Sequence, residues 1–222
     1  MTSGAARTVA IWDLPTRLFH WLLVGLIGFA WWSAESDHLT WHKIAGSGIA
    51  GLLVFRLWWG FFGASTARFA DFLRGPKTIL AYLAGKAHAR RIGHNPVGAL
   101  SVVALLLTTL TIVVAGLFAS DTDGVESGPL SNLVDYDGSR LASKIHGYAF
   151  EALEILVVLH ILALLFYTFV KRQPLVPAMI HGKAPAQDSD VPLRRGGVAA
   201  LAVGLLLGVI TAGVLIWLSG KS

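Results

Sequence analysis

The chain has 222 residues, of which 55% are hydrophobic and only 14% are charged, and its formal net charge is +5. This composition is typical of an integral membrane protein. The chain contains no cysteine, which excludes disulfides, thiolate metal sites and iron–sulfur clusters. Its basic residues lie between apolar segments, where membrane orientation explains them better than nucleic-acid binding, so we expect no nucleic-acid partner.

The first apolar segment predicts a helix over residues 16–34. Residues 1–10 are small and polar and are predicted to be frayed, whereas Pro15 suits a first helical turn. Arg17 and His20 are three residues apart and therefore share one face of this helix. Because no small-residue cleavage site follows the apolar run, the sequence predicts a retained helix and no signal peptide.

The second predicted helix covers residues 42–62 and carries His42 at its start and Arg56 near its end. The two side chains are separated by fourteen residues, which places them on one face, about 21 Å apart along the axis. Small residues on this helix allow close approach of a neighbouring helix or a flat cofactor. They are Gly46, Gly48 and Gly51.

Two polar loops predict the orientation of the chain. Residues 63–95 contain six basic residues and one acidic residue, with a short amphipathic helix predicted at 76–84, and this loop is assigned to the inside. Asn95 and Pro96 predict the start of the third helix, residues 96–119. Residues 120–144 contain five acidic and two basic residues, which assigns this loop to the outside.

The fourth predicted helix, residues 145–170, carries His146 and His160, again fourteen residues apart on one face. A fifth predicted helix, residues 196–219, has no histidine and no charge. We therefore predict a four-helix domain over residues 1–183 and a linker with an additional helix over 184–222. The loops place the N-terminus in the cytoplasm and the C-terminus outside a bacterial inner membrane.

With this orientation the four histidines form two levels. His42 and His146 define the outer level, and His20 and His160 define the inner level about 21 Å deeper. Two imidazoles from facing helices are typical axial ligands of a low-spin b haem, whereas zinc or copper would need further ligands. The sequence predicts an all-α membrane protein whose four-helix bundle holds two stacked noncovalent haems.

Haem propionates need positive partners near each interface. Arg17 and Arg56 are available at the inner level, and Lys43, Arg140 and Lys144 are available at the outer level. An alternative for the two inner arginines is that they reach lipid phosphates. His94, in the inner loop, is interpreted as a loop residue, and the alternative is a position near the cytoplasmic haem edge.

Several segments carry a family resemblance. They are LPTRLFHW, the span from His42 to Arg56, GHNPVGALSVVALL, GLFASD and the His146–His160 pair. Over roughly residues 11–183 the chain resembles the bacterial cytochrome b561 family, which includes the b-type cytochrome subunit of nickel–iron hydrogenases. The resemblance implies two b haems, with His20, His42, His146 and His160 as axial ligands, and electron exchange with quinones.

Three functions are compatible with this pattern. The favoured one is electron transfer between ubiquinone or menaquinone and an extracytoplasmic cytochrome c, dehydrogenase or hydrogenase subunit. A stand-alone superoxide oxidase that delivers electrons to quinone is the first alternative, and a haemless membrane scaffold or transporter is the second. An electron-transfer protein or oxidoreductase subunit is favoured over a stand-alone enzyme.

Overall fold

The computed structural model describes residues 8–73, 75–86, 95–120, 126–173, 175–186 and 193–221. Its helices are α1 (Leu14–Glu35), α2 (Leu39–Phe62), α3 (Phe69–Phe72), α4 (Pro76–Leu83), α5 (Pro96–Phe118), α6 (Tyr136–Phe169), α7 (Leu175–His181) and α8 (Val198–Ser219). Among these, α1, α2, α5, α6 and α8 are long and apolar enough to cross a membrane. The chain is therefore an all-α membrane protein.

Local sequence signals explain where two of the long helices begin. The side chain of Asn95 accepts a hydrogen bond from the Gly98 backbone N–H at 2.7 Å, which confirms it as the N-cap of α5. Asp135 caps α6 in the same way through Gly138. This cap lies well before residue 145, so α6 has additional polar turns that a search for apolar spans does not detect.

The N-terminal segment is more ordered than predicted. Strand β1 (Thr8–Ala10) pairs in antiparallel register with β2 (Lys183–Pro185), so the expectation of a frayed end is wrong for these three residues. The rest of that segment, residues 1–7, and His94 lie outside the described residues. The β1–β2 ribbon ties the beginning of α1 to the segment that follows α6.

Four of the long helices, α1, α2, α5 and α6, pack as two pairs. Helix α1 packs against α2, α5 packs against α6, and α2 and α5 join the pairs. Buried clusters around Phe55 and Trp59 and around Ile49 and Leu53 fill the α1–α2–α5 interface. Helices α1 and α6 pack little against each other. The helices that carry His20 and His160 are therefore held together mainly through α2 and α5.

Helix α8 packs along the side of α2 that faces away from the other long helices. This contact is the most extensive one between two helices in the described structure. A Cβ atom on Gly51 would lie 2.5 Å from the Gly208 carbonyl oxygen, so both glycines are needed for this approach. The Trp58 indole also donates to the Ala200 carbonyl at 2.8 Å. By contrast, a Cβ on Gly46 would meet nothing within 4 Å, which leaves room beside α2.

Candidate functional site

The structure brings the two outer-level histidines together. The ring centroids of His42 and His146 are 5.9 Å apart, and their planes are inclined by 75°. Both rings line a cavity of about 200 Å³ to which α1, α2, α5 and α6 all contribute. Its apolar wall includes Ile49, Phe150 and Leu153, so the cavity combines two facing imidazoles with a largely hydrophobic surface.

Backbone carbonyl groups orient both outer rings. Nδ1 of His42 lies 2.9 Å from the Ala30 carbonyl oxygen on α1, and Nδ1 of His146 lies 2.8 Å from the Ile112 carbonyl oxygen on α5. Because a carbonyl can only accept, Nδ1 must carry the proton in each ring. The Nε2 atom then keeps its lone pair, which is the arrangement of a metal-ligating histidine with an oriented ring.

The outer-level geometry fits two axial ligands on one metal. A metal–nitrogen bond of about 2 Å on each side holds the two ring centroids about 6 Å apart. Within the described parts of the chain, no group of three or more His, Cys, Asp or Glu side chains could hold a metal ion. The donor set is therefore suited to a metal whose other positions are filled by its own cofactor, as in haem.

The inner level is organised differently. His20 and His160 are close enough to interact electrostatically, but Nδ1 of His20 is buried and has no hydrogen-bond partner in the described structure. The His20 ring stands edge-on to Trp21, with centroids 4.8 Å apart. The Trp21 indole in turn donates to the Met179 carbonyl at 3.4 Å. Neighbouring contacts thus tie this end of α1 to the segment after α6.

Unsatisfied polar atoms concentrate at the inner level. Seven buried side-chain nitrogen or oxygen atoms lack a hydrogen-bond partner among the described residues, and six of them lie at this end. They belong to Asp13, Thr16, Arg17, His20, Arg56 and Thr66. Because buried polar groups are normally hydrogen-bonded, such a cluster indicates a site for a polar group such as a haem propionate.

Arg56 is the most deeply buried cation of this cluster, with only 3% of its surface exposed. Its guanidinium lies 5.0 Å from the ring centroid of Phe69 and 6.0 Å from that of Phe19. Its Nη1 atom has no partner in the described structure. The alternative that Arg56 reaches lipid phosphates is therefore wrong, because its head group is enclosed by protein.

Asp13 supplies a carboxylate close to Arg56. It is the N-cap residue of α1 but makes no capping hydrogen bond. Its Oδ2 atom instead accepts from the Trp59 indole at 2.9 Å, while Oδ1 is buried without a partner. Arg17, one turn further on, donates through Nη1 to the Ile180 carbonyl and keeps its Nε buried and unpartnered.

The outer basic residues are spread over different surroundings. Lys43 forms an ion pair with Glu126 at 2.8 Å. Arg140 forms no ion pair with a described residue, and its guanidinium donates a hydrogen bond to the Tyr136 hydroxyl at 2.9 Å. Lys144 is exposed and makes no ion pair or hydrogen bond with another described residue. The structure therefore does not bring these three side chains together around the outer histidines.

Several residues of the site escape sequence reasoning. The Ala30 and Ile112 carbonyl groups carry no sequence signal, since every residue has a carbonyl. Asp13 and Thr66 lie close to predicted helix ends, where such residues are ordinary caps or turns. The folded structure is needed to show that Asp13 and Thr66 each have a buried polar atom without a partner at the inner end.

A helical bundle with five helices long and apolar enough to span a membrane, a pair of closely placed histidine rings and no cysteine is typical of noncovalent membrane cytochromes. The family model for prokaryotic cytochrome b561 matches residues 11–182. A search of curated proteins and a search of solved structures each found no match. The chain belongs to the prokaryotic cytochrome b561 family and is accordingly a multi-pass b-type membrane cytochrome that functions in electron transfer. Helix α8 lies beyond the matched region.

Proposed function

We propose that the chain is a dihaem cytochrome that transfers electrons between the quinone pool and an extracytoplasmic redox partner. The observation that carries this proposal is the close approach of His42 and His146 within one cavity. His20 and His160 form the second proposed pair. Two bound b haems would supply one-electron redox chemistry at two depths. A carrier confined to one membrane surface would need only one such site.

In this proposal each side chain has a defined role. His42 and His146 would hold the outer haem through Nε2, and the Ala30 and Ile112 carbonyls keep the rings in that tautomer. His20 and His160 would hold the inner haem. The apolar wall of the cavity excludes water from the outer site.

The basic side chains hold the propionates in this scheme. Arg56 and Arg17 serve the inner group, supported by their buried, unpartnered nitrogen atoms. Lys144 is assigned to the outer group because it lies near the level of His146 in sequence and has no other partner among the described residues. Arg140 and Lys43 are less suited, since each already has a side-chain partner.

We place the N-terminus in the cytoplasm and the C-terminus outside, because the loops that follow α2 and α6 are basic. The acidic loop between α5 and α6 then faces the outside, where it favours a basic partner such as a c-type cytochrome. The quinone, ubiquinone or menaquinone, is assigned to the inner end, where Arg17 and Arg56 offer hydrogen-bond donors.

The alternatives have less support. A superoxide oxidase should attract an anion to its outer haem, but the residues that line the outer cavity include Glu35 and no lysine or arginine. A haemless scaffold is disfavoured by family membership, which implies b-type haem. Residues 1–183 remain our proposed dihaem domain, with residues 184–222 as an added segment.

The test combines haem counting with electron relay. Pyridine haemochrome analysis of the purified protein should give two noncovalent haems per chain with low-spin spectra in both redox states. In proteoliposomes, both haems should exchange electrons with the quinone/quinol couple and with an added cytochrome c. The His160→Ala variant should keep its outer haem and lose the relay. One haem per chain, or full-rate relay by this variant, would refute the two-haem path.

A further inference from the structure

The two levels differ in the charge built around them. The outer cavity is lined by the two histidines and by one other ionisable group, Glu35. At the inner level the enclosed charges are those of Arg56, Arg17 and Asp13. The lining of the outer cavity therefore holds no cation, and Lys144, the cation assigned to the outer group, is exposed to solvent, whereas the inner level holds the buried guanidinium of Arg56.

Arg56 is positioned to act on the inner level. It lies fourteen residues after His42 on α2, which returns it to within about 40° of the same face and about 21 Å deeper. Its guanidinium contacts Phe19, the residue before His20. Helix α2 thus contributes a cavity-lining histidine at one level and a buried cation at the other.

The positive charge of Arg56 is not cancelled locally. The described residues contain one ion pair, Lys43 with Glu126, so Arg56 has no carboxylate within 4.0 Å. Asp13 acts on Arg56 only at longer range, and one of its oxygens is already occupied by the Trp59 indole. Arg17 adds a second cation at the same end.

A buried cation acts strongly on a nearby redox centre, because charges are poorly screened where water is excluded. Reduction of a ferric haem lowers its charge by one, so a neighbouring cation stabilises the reduced form and raises the midpoint potential. The sign is the same when Arg56 also binds a propionate, since its removal then leaves that carboxylate uncompensated. Net charge and burial are established means by which proteins adjust such potentials.

We propose that Arg56 raises the midpoint potential of the inner haem above that of the outer haem and so directs electrons inward, from an extracytoplasmic one-electron donor to quinone. This inference rests on the proposed dihaem function. Two donor molecules each lose one electron, and one quinone gains two electrons and two protons from cytoplasmic water to form quinol. Arg56 would act through its charge and would not touch the reacting quinone, so the quantity that reports its role is the midpoint potential of the inner haem.

The first experiment is a spectroelectrochemical redox titration of the wild-type protein and of two single-haem variants. His146→Ala keeps the inner haem, and His160→Ala keeps the outer haem, so each wild-type potential can be assigned to a level. We expect the higher potential at the inner level. The opposite order, or equal potentials, overturns the proposal whatever the Arg56 variants do.

The second experiment removes the charge. Arg56→Gln should lower the inner potential and leave the outer potential unchanged, and Arg56→Lys, which keeps the charge, should restore most of the difference. The matched control is Lys77→Gln, which removes an exposed cation on the inner-loop helix α4. Because solvent screens that charge, neither potential should move in the control.

The outcomes distinguish a failure of the proposed dihaem function from a failure of the role assigned to Arg56. A wild-type protein with fewer than two haems refutes the proposed function itself. Two haems with an inner potential that is the same in Arg56→Gln and wild type refute only the role of Arg56. If Arg56→Gln loses its inner haem, the Arg56→Lys titration decides: an inner potential no higher than the outer one in this variant contradicts the proposal.

Discussion

The outer and inner histidine levels are built on opposite principles. At the outer level, His42 and His146 are oriented by carbonyl groups from neighbouring helices, and the cavity between them is mainly apolar. At the inner level, His20 has no partner for its Nδ1, and other side chains at this end also have buried polar atoms without a partner in the described structure. One level is prepared mainly through backbone geometry, and the other depends on groups that a bound cofactor would satisfy.

This difference has a consequence for assembly. Backbone anchors persist without a cofactor, so the outer rings are held in a ligating arrangement beforehand. Buried polar atoms without partners are costly, so the inner level gains stability when a propionate satisfies them. We therefore expect haem binding to stabilise the inner end of the bundle more than the outer end.

The largest expected effect comes from removing a ligand. His146→Ala should lose the outer haem and keep the inner one, and His42→Ala should behave in the same way because both rings face one cavity. His20→Ala and His160→Ala should instead lose the inner haem. Haem stoichiometry and difference spectra measure this, and loss of the same haem in His146→Ala and His160→Ala would contradict the two-level arrangement.

A smaller effect, confined to the outer level, is expected from Gly116→Ala. The added Cβ would lie 2.9 Å from Nδ1 of His146, where the ring bonds to the Ile112 carbonyl. The ring must shift, so the spectrum or potential of the outer haem should change while the inner haem stays as in wild type. Gly213→Ala on α8, where a Cβ meets nothing within 4 Å, is the matched control. A change at the inner haem alone would count against this interpretation.

Helix α8 packs against α2 and contributes no histidine. Weakening the α2–α8 contact should therefore lower the stability of the fold and leave the haem content unchanged. In Gly208→Val the first added atom would lie 2.8 Å from the Gly51 carbonyl oxygen. Overpacking of this kind costs about 1–3 kcal/mol, which should appear as a lower thermal unfolding midpoint with both haems retained. Gly213→Val should unfold like wild type, and equal midpoints for the two variants would show that the α2–α8 contact contributes little.

The smallest effect concerns the inner end alone. Burial and a hydrogen bond to Tyr167 at 3.2 Å raise the pKa of Tyr82 from 10.0 to about 12. Because the folded state favours the neutral phenol, this group stabilises the fold below pH 10 and loses that contribution as pH rises towards 12.

Tyr82→Phe should therefore flatten the fall in unfolding midpoint between pH 10 and 12. Tyr148→Phe, which changes an exposed tyrosine of α6, should leave that fall as in wild type. Haem spectra should be the same in both variants. A Tyr82→Phe profile that coincides with wild type would exclude a stabilising role for the Tyr82 phenol.

Much of the architecture follows from the sequence alone. Long apolar runs of membrane-spanning length predict the five long helices, and Asn95 with Pro96 predicts where α5 begins. His42 and His146 each begin a predicted helix at the outer side, which predicts that they lie at one depth, and the structure does bring these two rings together. That the four histidines are haem ligands stays a prediction. These features are local or periodic along the chain, so they can be predicted without knowing which elements pack together in the fold.

Other features were decided only by tertiary structure. Whether Arg56 reaches lipid or stays enclosed depends on Phe19 and Phe69, which belong to other elements. The tautomers of the outer histidines depend on carbonyl groups that are identical in every residue type. The position of α8 depends on glycine contacts between distant parts of the chain. Burial and orientation are properties of pairs of elements, so a single sequence leaves them open until the helices are packed.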